Sequence, residues 1–446
     1  MTRRLLLLVV IALLACGSAS SARESAPRLQ DRHPCLGFPA FACSTLAVPL
    51  DHAGRSSGAL RLAVAAGTNK DAPKGVLLLI AGGPGQPGVP LLPRISKILG
   101  AEQGRYRIVV YDQRGTGAGA LNCTALQSAM GTSDLFPPPA GAVQACARQL
   151  GNRRQFFGTD DVVADMESLR RALGVERWTL DGISYGSFVG ERYALAHPDR
   201  VNKLVLDSVV PHVGQTDLGV VEFRAAARVL RSVCGDGSCA ADLAAVVRKQ
   251  HDGPQLLDAL TFDSIADPTY LTIFNVPTLL RDARQGSLAG LTQFLSIVRG
   301  YESAAAAVLD QGLHASALCA DWRYPWGSSA APLAGREASV TRAVVRLSIK
   351  SLYPFDRATA ANTGFVRQCL PWAPTAATPS AAGRITVPTL LVNGDHDLST
   401  PLEWAQQELK LTTKGKLVVV PGAGHSTQSR ASSDVGRAAV ARFLLR

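Results

Sequence analysis

Short apolar runs alternate with amphipathic stretches along the first half of the chain and again near its end. The β-rich runs end in glycine-containing or polar segments, and the stretches between them place apolar residues at helical spacing. This alternation predicts an α/β fold, with a mostly parallel sheet flanked by crossover helices. The predicted strands are 60–65, 76–80, 107–111, 178–180, 203–206, 389–392 and 417–420, and the predicted helices are 161–173, 187–197 and 435–445.

The middle of the chain has a different pattern. From Val213 to Arg384 the strand signals fade, and helical stretches rich in Ala and Leu dominate. A helical segment between two parts of one sheet is expected to form an inserted cap. The sequence therefore predicts a core made of 35–212 and 385–446, with a helical cap at 213–384.

Composition limits the class of protein. The chain has 446 residues, of which 47% are hydrophobic and 18% are charged. These values favour a sizeable folded core and argue against a disordered chain or a coiled coil. The formal net charge is +11, but the basic residues are scattered and form neither a dense run nor a helical stripe. A nucleic-acid partner is therefore not expected.

The first residues read as a targeting segment. Two arginines precede an unbroken apolar run, Leu5–Ala15, of 11 residues. A membrane-spanning helix needs about 20 residues, so the run predicts a signal peptide over 1–22. The tetrapeptide Leu-Leu-Ala-Cys ending at Cys16 resembles a lipobox, and a lipid on Cys16 would be the one membrane contact; ordinary secretion after cleavage near Ala22 is the alternative. Either outcome predicts an exported protein.

Eight cysteines remain after Cys16, and an even set in an exported chain predicts disulfides. Parity alone does not fix their pairing. A zinc site is the weaker interpretation, because the chain lacks CxxC and HxxxH spacing. The simplest arrangement joins neighbours along the chain: Cys35 with Cys43, Cys123 with Cys146, Cys234 with Cys239, and Cys319 with Cys369.

The strongest local motif is Gly-Ile-Ser-Tyr-Gly at 182–186. An apolar strand precedes it and a helix follows it, which is the context that a nucleophilic serine on a sharp strand-to-helix turn requires. Glycine is expected at both ends of the motif, because a Cβ atom would clash in such a turn. We therefore predict Ser184 as the nucleophile, with the N-terminus of a helix beside it to favour developing negative charge.

A serine hydroxyl needs a base, and His425 is the predicted one. His425 ends the loop Pro-Gly-Ala-Gly-His, just after a predicted strand and before the last helix, so it can reach the carboxyl edge of the sheet. The remaining histidines considered for this role are predicted to be surface or capping residues: His33, His52, His197 and His212.

The acid that orients the base should follow the serine and precede the histidine. The segment Gly-Asp-His-Asp at 394–397 follows a predicted strand, and Asp397 lies deep enough in the loop to face His425. We predict Asp397 as this acid. Asp395 and Asp207, each at the end of a strand, are the alternatives.

An oxyanion formed at Ser184 would need hydrogen-bond donors. One is predicted to be the backbone N–H of Tyr185, the residue after the nucleophile. The other is predicted to be Gly83, in the loop Gly-Gly-Pro-Gly at 82–85 that follows an earlier strand. Glycine there lets the backbone approach a substrate closely.

Together, the loop at 82–85, the segment Tyr-Asp-Gln-Arg-Gly-Thr-Gly at 111–117, the Ser184 motif and the segment 394–397 with Thr-Pro after it resemble the proline iminopeptidase and tripeptidyl aminopeptidase family of exported hydrolases. The resemblance implies the α/β-hydrolase fold and activity on free peptide N-termini; some relatives act as esterases or amidases. Ala81 stands where iminopeptidases usually carry His, which favours the tripeptidyl branch.

The predicted function is therefore an exported serine aminopeptidase that acts through an acyl-enzyme on Ser184. No metal or other cofactor is expected, and the substrate is a peptide or a small ester or amide. Asp321, near Cys319 in the cap, is predicted to bind the substrate ammonium, because a buried charge needs a partner. Alternatively, Asp321 caps a helix or pairs with Arg323. A carboxylesterase or amidase and a non-catalytic surface lipoprotein are the alternative functions.

Overall fold

The centre of the molecule is a mostly parallel sheet. A computed structural model describes residues 26–214, 216–266, 274–378 and 381–446. Within these residues the sheet has nine strands: β1 (Leu29–Cys35), β2 (Phe38–Pro49), β3 (Ala59–Gly67), β4 (Val76–Ile80), β5 (Arg107–Tyr111), β6 (Trp178–Ile183), β7 (Val201–Asp207), β8 (Thr389–Gly394) and β9 (Gly415–Val420). Their order is β1-β2-β3-β5-β4-β6-β7-β8-β9.

The direction of the strands divides the sheet into two parts. Strands β1, β2 and β3 pair in antiparallel fashion, and β3 pairs antiparallel with β5. The remaining pairs, from β5 through β4, β6, β7 and β8 to β9, are parallel. Every residue of β4 and of β8 is buried, which explains their continuous apolar runs, since helices cover both faces of a parallel sheet.

Helices flank the sheet on both sides. The α-helices outside the segment between β7 and β8 are α1 (Leu92–Ile98), α2 (Glu102–Arg105), α3 (Thr124–Met130), α4 (Ala140–Leu150), α5 (Thr159–Ala172), α6 (Tyr185–Ala196), α17 (Leu402–Lys410), α18 (Thr427–Arg430) and α19 (Val435–Leu445). The three predicted helices correspond to α5, α6 and α19. The seven predicted strands are also present, as β3 to β9.

Between β7 and β8 the described residues contribute helices and no strand of the sheet. These helices are α7 (Val220–Cys234), α8 (Ser238–Gln250), α9 (Gly253–Ala266), α10 (Val276–Gln285), α11 (Ala289–Glu302), α12 (Gln311–Asp321), α13 (Arg336–Arg346), α14 (Ile349–Leu352), α15 (Arg357–Ala361) and α16 (Gly364–Cys369). They bury an apolar core of their own, which includes Phe223, Leu243, Leu257 and Phe294. The predicted boundaries 213 and 384 fall in the connections on either side.

Four disulfides join the eight cysteines in the simplest pairing: Cys35–Cys43, Cys123–Cys146, Cys234–Cys239 and Cys319–Cys369. The first links β1 to β2, and the last links α12 to α16. The predicted signal peptide, 1–22, and the predicted lipid site, Cys16, lie outside the described residues. Among the helices that are described, none combines the length and apolarity that crossing a bilayer requires.

Candidate active site

Ser184 lies at the sharp turn between β6 and α6. Its backbone has φ 57° and ψ −128°, a strained conformation for a residue with a side chain. Both flanking glycines are required by close backbone contacts. A Cβ on Gly182 would lie 2.2 Å from the carbonyl oxygen of Gly186, and one on Gly186 would lie 2.2 Å from that of Ile80. The turn therefore presents the serine hydroxyl at the carboxyl edge of the sheet.

His425 and Asp397 are in direct contact. Nδ1 of His425 lies 3.0 Å from Oδ2 of Asp397, and the carboxylate is fully buried. Asp397 also accepts hydrogen bonds from the backbone of Ser399 at 2.9 Å and of Thr400 at 2.8 Å, and from the Thr400 hydroxyl at 2.8 Å. These bonds hold the carboxylate in one orientation, so it can fix the imidazole ring with Nδ1 facing away from the cavity.

Ser184 and His425 line the same cavity. In the part of the chain that the structure describes, His425 makes no hydrogen bond to the Ser184 hydroxyl. Catalytic hydrogen bonds are often long in free enzymes and tighten only with substrate, so this spacing is compatible with the roles predicted for the two side chains.

The two alternative acids have other partners. Asp207 is buried, and its carboxylate accepts hydrogen bonds from the backbone N–H of Thr427 and of Gln428 at 3.1 and 2.9 Å. It therefore anchors α18 directly after the histidine loop. Asp395 accepts a hydrogen bond from the Gly422 N–H at 2.7 Å. Each of these acids thus supports the loop of His425 rather than its ring.

The predicted oxyanion donors lie close to the serine. Gly83 has φ 108°, a conformation that favours glycine. A Cβ on the neighbouring Gly82 would lie 3.0 Å from the Cβ of Ser184, so this loop packs directly against the predicted nucleophile. Tyr185 is the first residue of α6, where backbone N–H groups have no partner within the helix. The arrangement suits an oxyanion site between the two segments.

The polar segment after β5 supports this loop, a role that the sequence analysis did not assign. The Gln113 side chain donates a hydrogen bond to the Ala81 carbonyl at 2.9 Å, and Asp112 accepts one from the Val89 N–H at 2.8 Å. Arg114 is fully buried and binds both carboxylate oxygens of Asp165 at 2.7 and 2.6 Å. Three adjacent polar residues directly after a buried strand were the available signal, since a charge buried there must have partners.

Acidic side chains form one wall of the cavity, which has a volume of about 360 Å³. Asp134, Asp258 and Glu302 line it, and the last two are almost completely buried. Burial raises the pKa of Asp258 to about 6, and burial together with the Asp258 charge raises that of Glu302 to about 9. Arg299 offsets part of the increase in the pKa of Glu302, because its guanidinium lies 2.5 Å from the Glu302 carboxylate. The wall thus offers carboxyl groups that a cation would favour in the ionised form.

Asp321 lies elsewhere, and the structure gives no support to its predicted contact with the substrate. It does not line the cavity of Ser184. Its carboxylate accepts hydrogen bonds from the backbone N–H of Thr159 at 2.9 Å and from the Thr159 hydroxyl at 2.5 Å. Thr159 is the first residue of α5, so Asp321 caps that helix, as in the alternative stated above. Burial raises the pKa of Asp321 to about 6.

One group of side chains could provide metal ligands. Glu191, His212 and Glu408 are buried, and a donor atom of each lies within 4.8 Å of the others. None of the three lines the cavity of Ser184. Glu408 accepts a hydrogen bond from Nδ1 of His212 at 2.8 Å, and burial together with the Glu408 charge raises the pKa of Glu191 well above its usual value. A protonated Glu191 accounts for this group without an ion.

Two parts of the chain match known protein families. Residues 75–226, which contain Ser184, match a family described as alpha/beta hydrolase fold. Residues 353–446, which contain Asp397 and His425, match a family described as TAP-like protein. Among solved structures, the proline iminopeptidase of Mycobacterium smegmatis is 17% identical, with 90% of this chain and 98% of that chain covered and a TM-score of 0.43.

Curated relatives are similar over part of their length. The tripeptidyl aminopeptidase of Streptomyces lividans is 28% identical over 38% of this chain and 35% of its own length. The probable proline iminopeptidase of Streptomyces coelicolor is 33% identical over 30% and 32%, and the serine protease Hip1 of Mycobacterium tuberculosis is 28% identical over 40% and 38%. The chain spans about a third of the length of the first relatives it matches. The chain has the α/β-hydrolase fold and is similar to the tripeptidyl aminopeptidases and proline iminopeptidases.

Proposed function

We propose that this protein is an exported serine aminopeptidase that releases residues or short peptides from free N-termini. Ser184 attacks the carbonyl carbon of the scissile amide, and His425 takes the hydroxyl proton through Nε2. The same proton then passes to the leaving amine as the C–N bond breaks, which leaves an ester on Ser184. Asp397 stabilises the imidazolium that forms. A water molecule, deprotonated by His425, hydrolyses the ester and restores the serine.

The backbone amides of Gly83 and Tyr185 stabilise the negative charge on the carbonyl oxygen in both steps. Gln113 holds the carbonyl of Ala81 and so supports the approach of Gly83 to Ser184. Loss of one oxyanion donor typically lowers kcat about 10²–10³-fold. The strained turn at Ser184, the contact of His425 with Asp397 and the shared cavity are together the observation that supports acyl transfer.

The acidic wall of the cavity favours a peptidase that recognises a free amine. An N-terminal ammonium that enters a partly buried cavity needs a carboxylate partner to offset its desolvation. Asp258 and Glu302 are buried, line the same cavity as Ser184 and come from α9 and α11. They take the role that the sequence suggested for Asp321. A simple ester offers no charge for this wall to bind.

Export is part of the proposal. The four disulfides are typical of proteins that fold in an oxidising compartment. The predicted signal peptide also indicates export, and its Leu-Leu-Ala-Cys segment favours a lipid on Cys16. Mass spectrometry of the mature protein is expected to find a lipidated Cys16 at the N-terminus. An unmodified N-terminus near Arg23 would instead indicate free secretion.

The nucleophile is tested with a fluorophosphonate probe. The parent protein is expected to be labelled, and Ser184→Ala is expected to lose labelling and at least about 10⁴-fold in turnover, because the attacking atom is gone. Ser339→Ala, at a half-buried position of α13 outside the cavity, is the matched control and should behave like the parent. Labelling of a folded Ser184→Ala protein would contradict the assignment.

The substrate class is tested with three matched compounds: a peptide with a free N-terminus, its N-acetylated form and a simple ester. The parent should prefer the free peptide. Asp258→Asn should lose about 10-fold or more in kcat/KM on the free peptide and change little on the ester, because it removes a charge that only the ammonium contacts. Asp282→Asn, on the exposed face of α10, is the control. Equal activity of the parent on free and acetylated peptides would favour an esterase or amidase.

A further inference from the structure

Two arginines line the cavity of Ser184 from the side of the α/β core. Arg94 lies on α1, which follows the loop of Gly83, and Arg430 is the last residue of α18, which follows the loop of His425. Helices α1 and α18 pack against each other. The two guanidinium groups therefore come from neighbouring elements, and both border the space where substrate must sit.

Neither arginine has an acidic partner in the described part of the chain. Within these residues, no carboxylate oxygen lies within 4.0 Å of either guanidinium. One Nη of Arg430 donates a hydrogen bond to the Ile265 carbonyl at 2.6 Å, while its Nε is buried and makes no hydrogen bond to any described residue. Burial and the nearby charge of Arg94 lower the pKa of Arg430 to about 10.

This arrangement is costly unless a ligand offsets it. Two like charges at one wall repel, and a buried N–H without an acceptor loses the hydrogen bond it had with water. A guanidinium offers a planar set of donors that fits a carboxylate or a phosphate with two parallel hydrogen bonds. In a peptidase the anion available next to the reacting bond is a carboxylate.

The position of Arg430 indicates which part of the substrate carries this carboxylate. His425 delivers a proton to the leaving amine, so the leaving group lies beside His425. Arg430 is five residues further along, at the end of the short helix that starts directly after that loop. A negative charge on the leaving group would therefore contact Arg430 and Arg94. The N-terminal ammonium of the substrate would contact Asp258 and Glu302.

We propose that Arg94 and Arg430 bind the C-terminal carboxylate of a short peptide substrate, so that the enzyme acts on small peptides whose two charged ends are both held in the cavity. This inference rests on the proposed aminopeptidase function and specifies its substrate class. A volume of about 360 Å³ suits a peptide of a few residues. Longer peptides and C-terminal amides lack the charge at that position.

The test uses a tetrapeptide with a free carboxyl group and the same tetrapeptide as its C-terminal amide. The parent is expected to cleave the acid with a kcat/KM about 10-fold or more above that of the amide. Arg430→Gln and, separately, Arg94→Gln should remove most of this preference by lowering activity on the acid alone. Arg94 is exposed, so its variant tests the proposal even where Arg430→Gln does not fold. Arg442→Gln, on the exposed face of α19, is the control.

A binding measurement separates this inference from the proposed function. The acid peptide should slow fluorophosphonate labelling of Ser184 more strongly than the amide, and inorganic phosphate at the same concentration should have little effect. Equal protection by acid and amide would overturn the inference and leave the aminopeptidase proposal standing. Stronger protection by phosphate than by the acid would also overturn it. Cleavage of neither peptide would overturn the aminopeptidase proposal, while the labelling arm still decides whether the arginines bind a carboxylate.

Discussion

The α/β core and the helical segment between β7 and β8 hold their residues at the cavity by different means. In the core, close backbone packing fixes the position of Ser184: Cβ atoms on Gly182 and Gly186 would overlap carbonyl oxygens. In the helical segment, buried hydrogen bonds hold the residues in position. Gln311 at the start of α12 donates to the carbonyls of Gly131 and Ser133 at 3.1 and 3.0 Å, and the Asp310 N–H donates to the Gly85 carbonyl at 3.0 Å.

The difference indicates that the core and the helical segment have separate functions. A parallel sheet with tight turns supplies a rigid frame, and the groups proposed to carry out the chemistry are attached to it. Helices docked through polar contacts can differ in length and sequence without disturbing that frame, so they are suited to select the substrate. Substitutions in the core should therefore affect chemistry or folding sharply, while those in the helical segment should affect selectivity or stability.

The largest effect is expected at Asp397 in the core. Asp397→Asn keeps the size of the side chain but loses the charge that stabilises the imidazolium, so kcat should fall by about 10³–10⁴-fold. Asp395→Asn tests the alternative acid two residues away, and its kcat should fall far less, because its carboxylate accepts a hydrogen bond from the Gly422 N–H and makes none with the His425 ring. Steady-state kinetics on one peptide substrate measures both. A larger loss at Asp395 than at Asp397 would reverse the assignment of the acid.

The next largest effect is a change in the free energy of unfolding when a glycine of each region is replaced by alanine. Gly186→Ala should cost about 4 kcal/mol or more, or prevent folding, since the new Cβ would lie 2.2 Å from the Ile80 carbonyl oxygen. Gly300→Ala, in α11, meets no atom within 4 Å and should stabilise the protein by about 0.5–1 kcal/mol. Urea unfolding followed by circular dichroism measures both. A Gly186→Ala protein as stable as the parent would show that the turn tolerates a side chain.

A smaller loss of stability is expected when a disulfide is removed, and it should differ between the two regions. Cys319–Cys369 closes 50 residues in the helical segment, and Cys35–Cys43 closes 8 residues at the edge of the core. Chain entropy alone predicts losses of about 4 and about 2.5 kcal/mol when each pair is changed to serine. Thermal unfolding of the two double variants tests this order. A larger loss for the short pair would mean that native contacts, rather than loop closure, set the contribution.

The last expected effect is a pH dependence that originates in the helical segment. Glu302 has a folded pKa of about 9, well above its value in an unfolded chain, so the folded state binds more protons. The free energy of unfolding should therefore fall as the pH rises from about 4.5 towards 9. Glu302→Gln should reduce this slope, and the exposed Glu337→Gln should not. Urea unfolding at pH 5 and pH 8 measures the slopes, and equal slopes in parent and Glu302→Gln would contradict the expectation.

Several features could be predicted from the sequence and others could not. The strands β3 to β9 appeared as apolar runs because they are buried on one or both faces. Strand β1 was missed because most of its residues are exposed and polar, and β2 because its burial alternates irregularly. The contact of His425 with Asp397 followed from the order of the motifs along the sheet edge. The role of Asp321 could not be predicted in this way, because its position relative to the cavity depends on how α12 packs.

The sequence by itself determined the fold class, the disulfide candidates and the three residues proposed for catalysis, because each is encoded locally, by periodicity, by spacing or by a turn that only glycine permits. Tertiary structure decided what surrounds them. Asp258 and Glu302 lie on different helices, and Arg94 and Arg430 lie more than 300 residues apart in the chain, so no local pattern relates them. Their common cavity arises only when the helical segment packs over the carboxyl edge of the sheet, where burial strengthens the charges of Asp258 and Glu302.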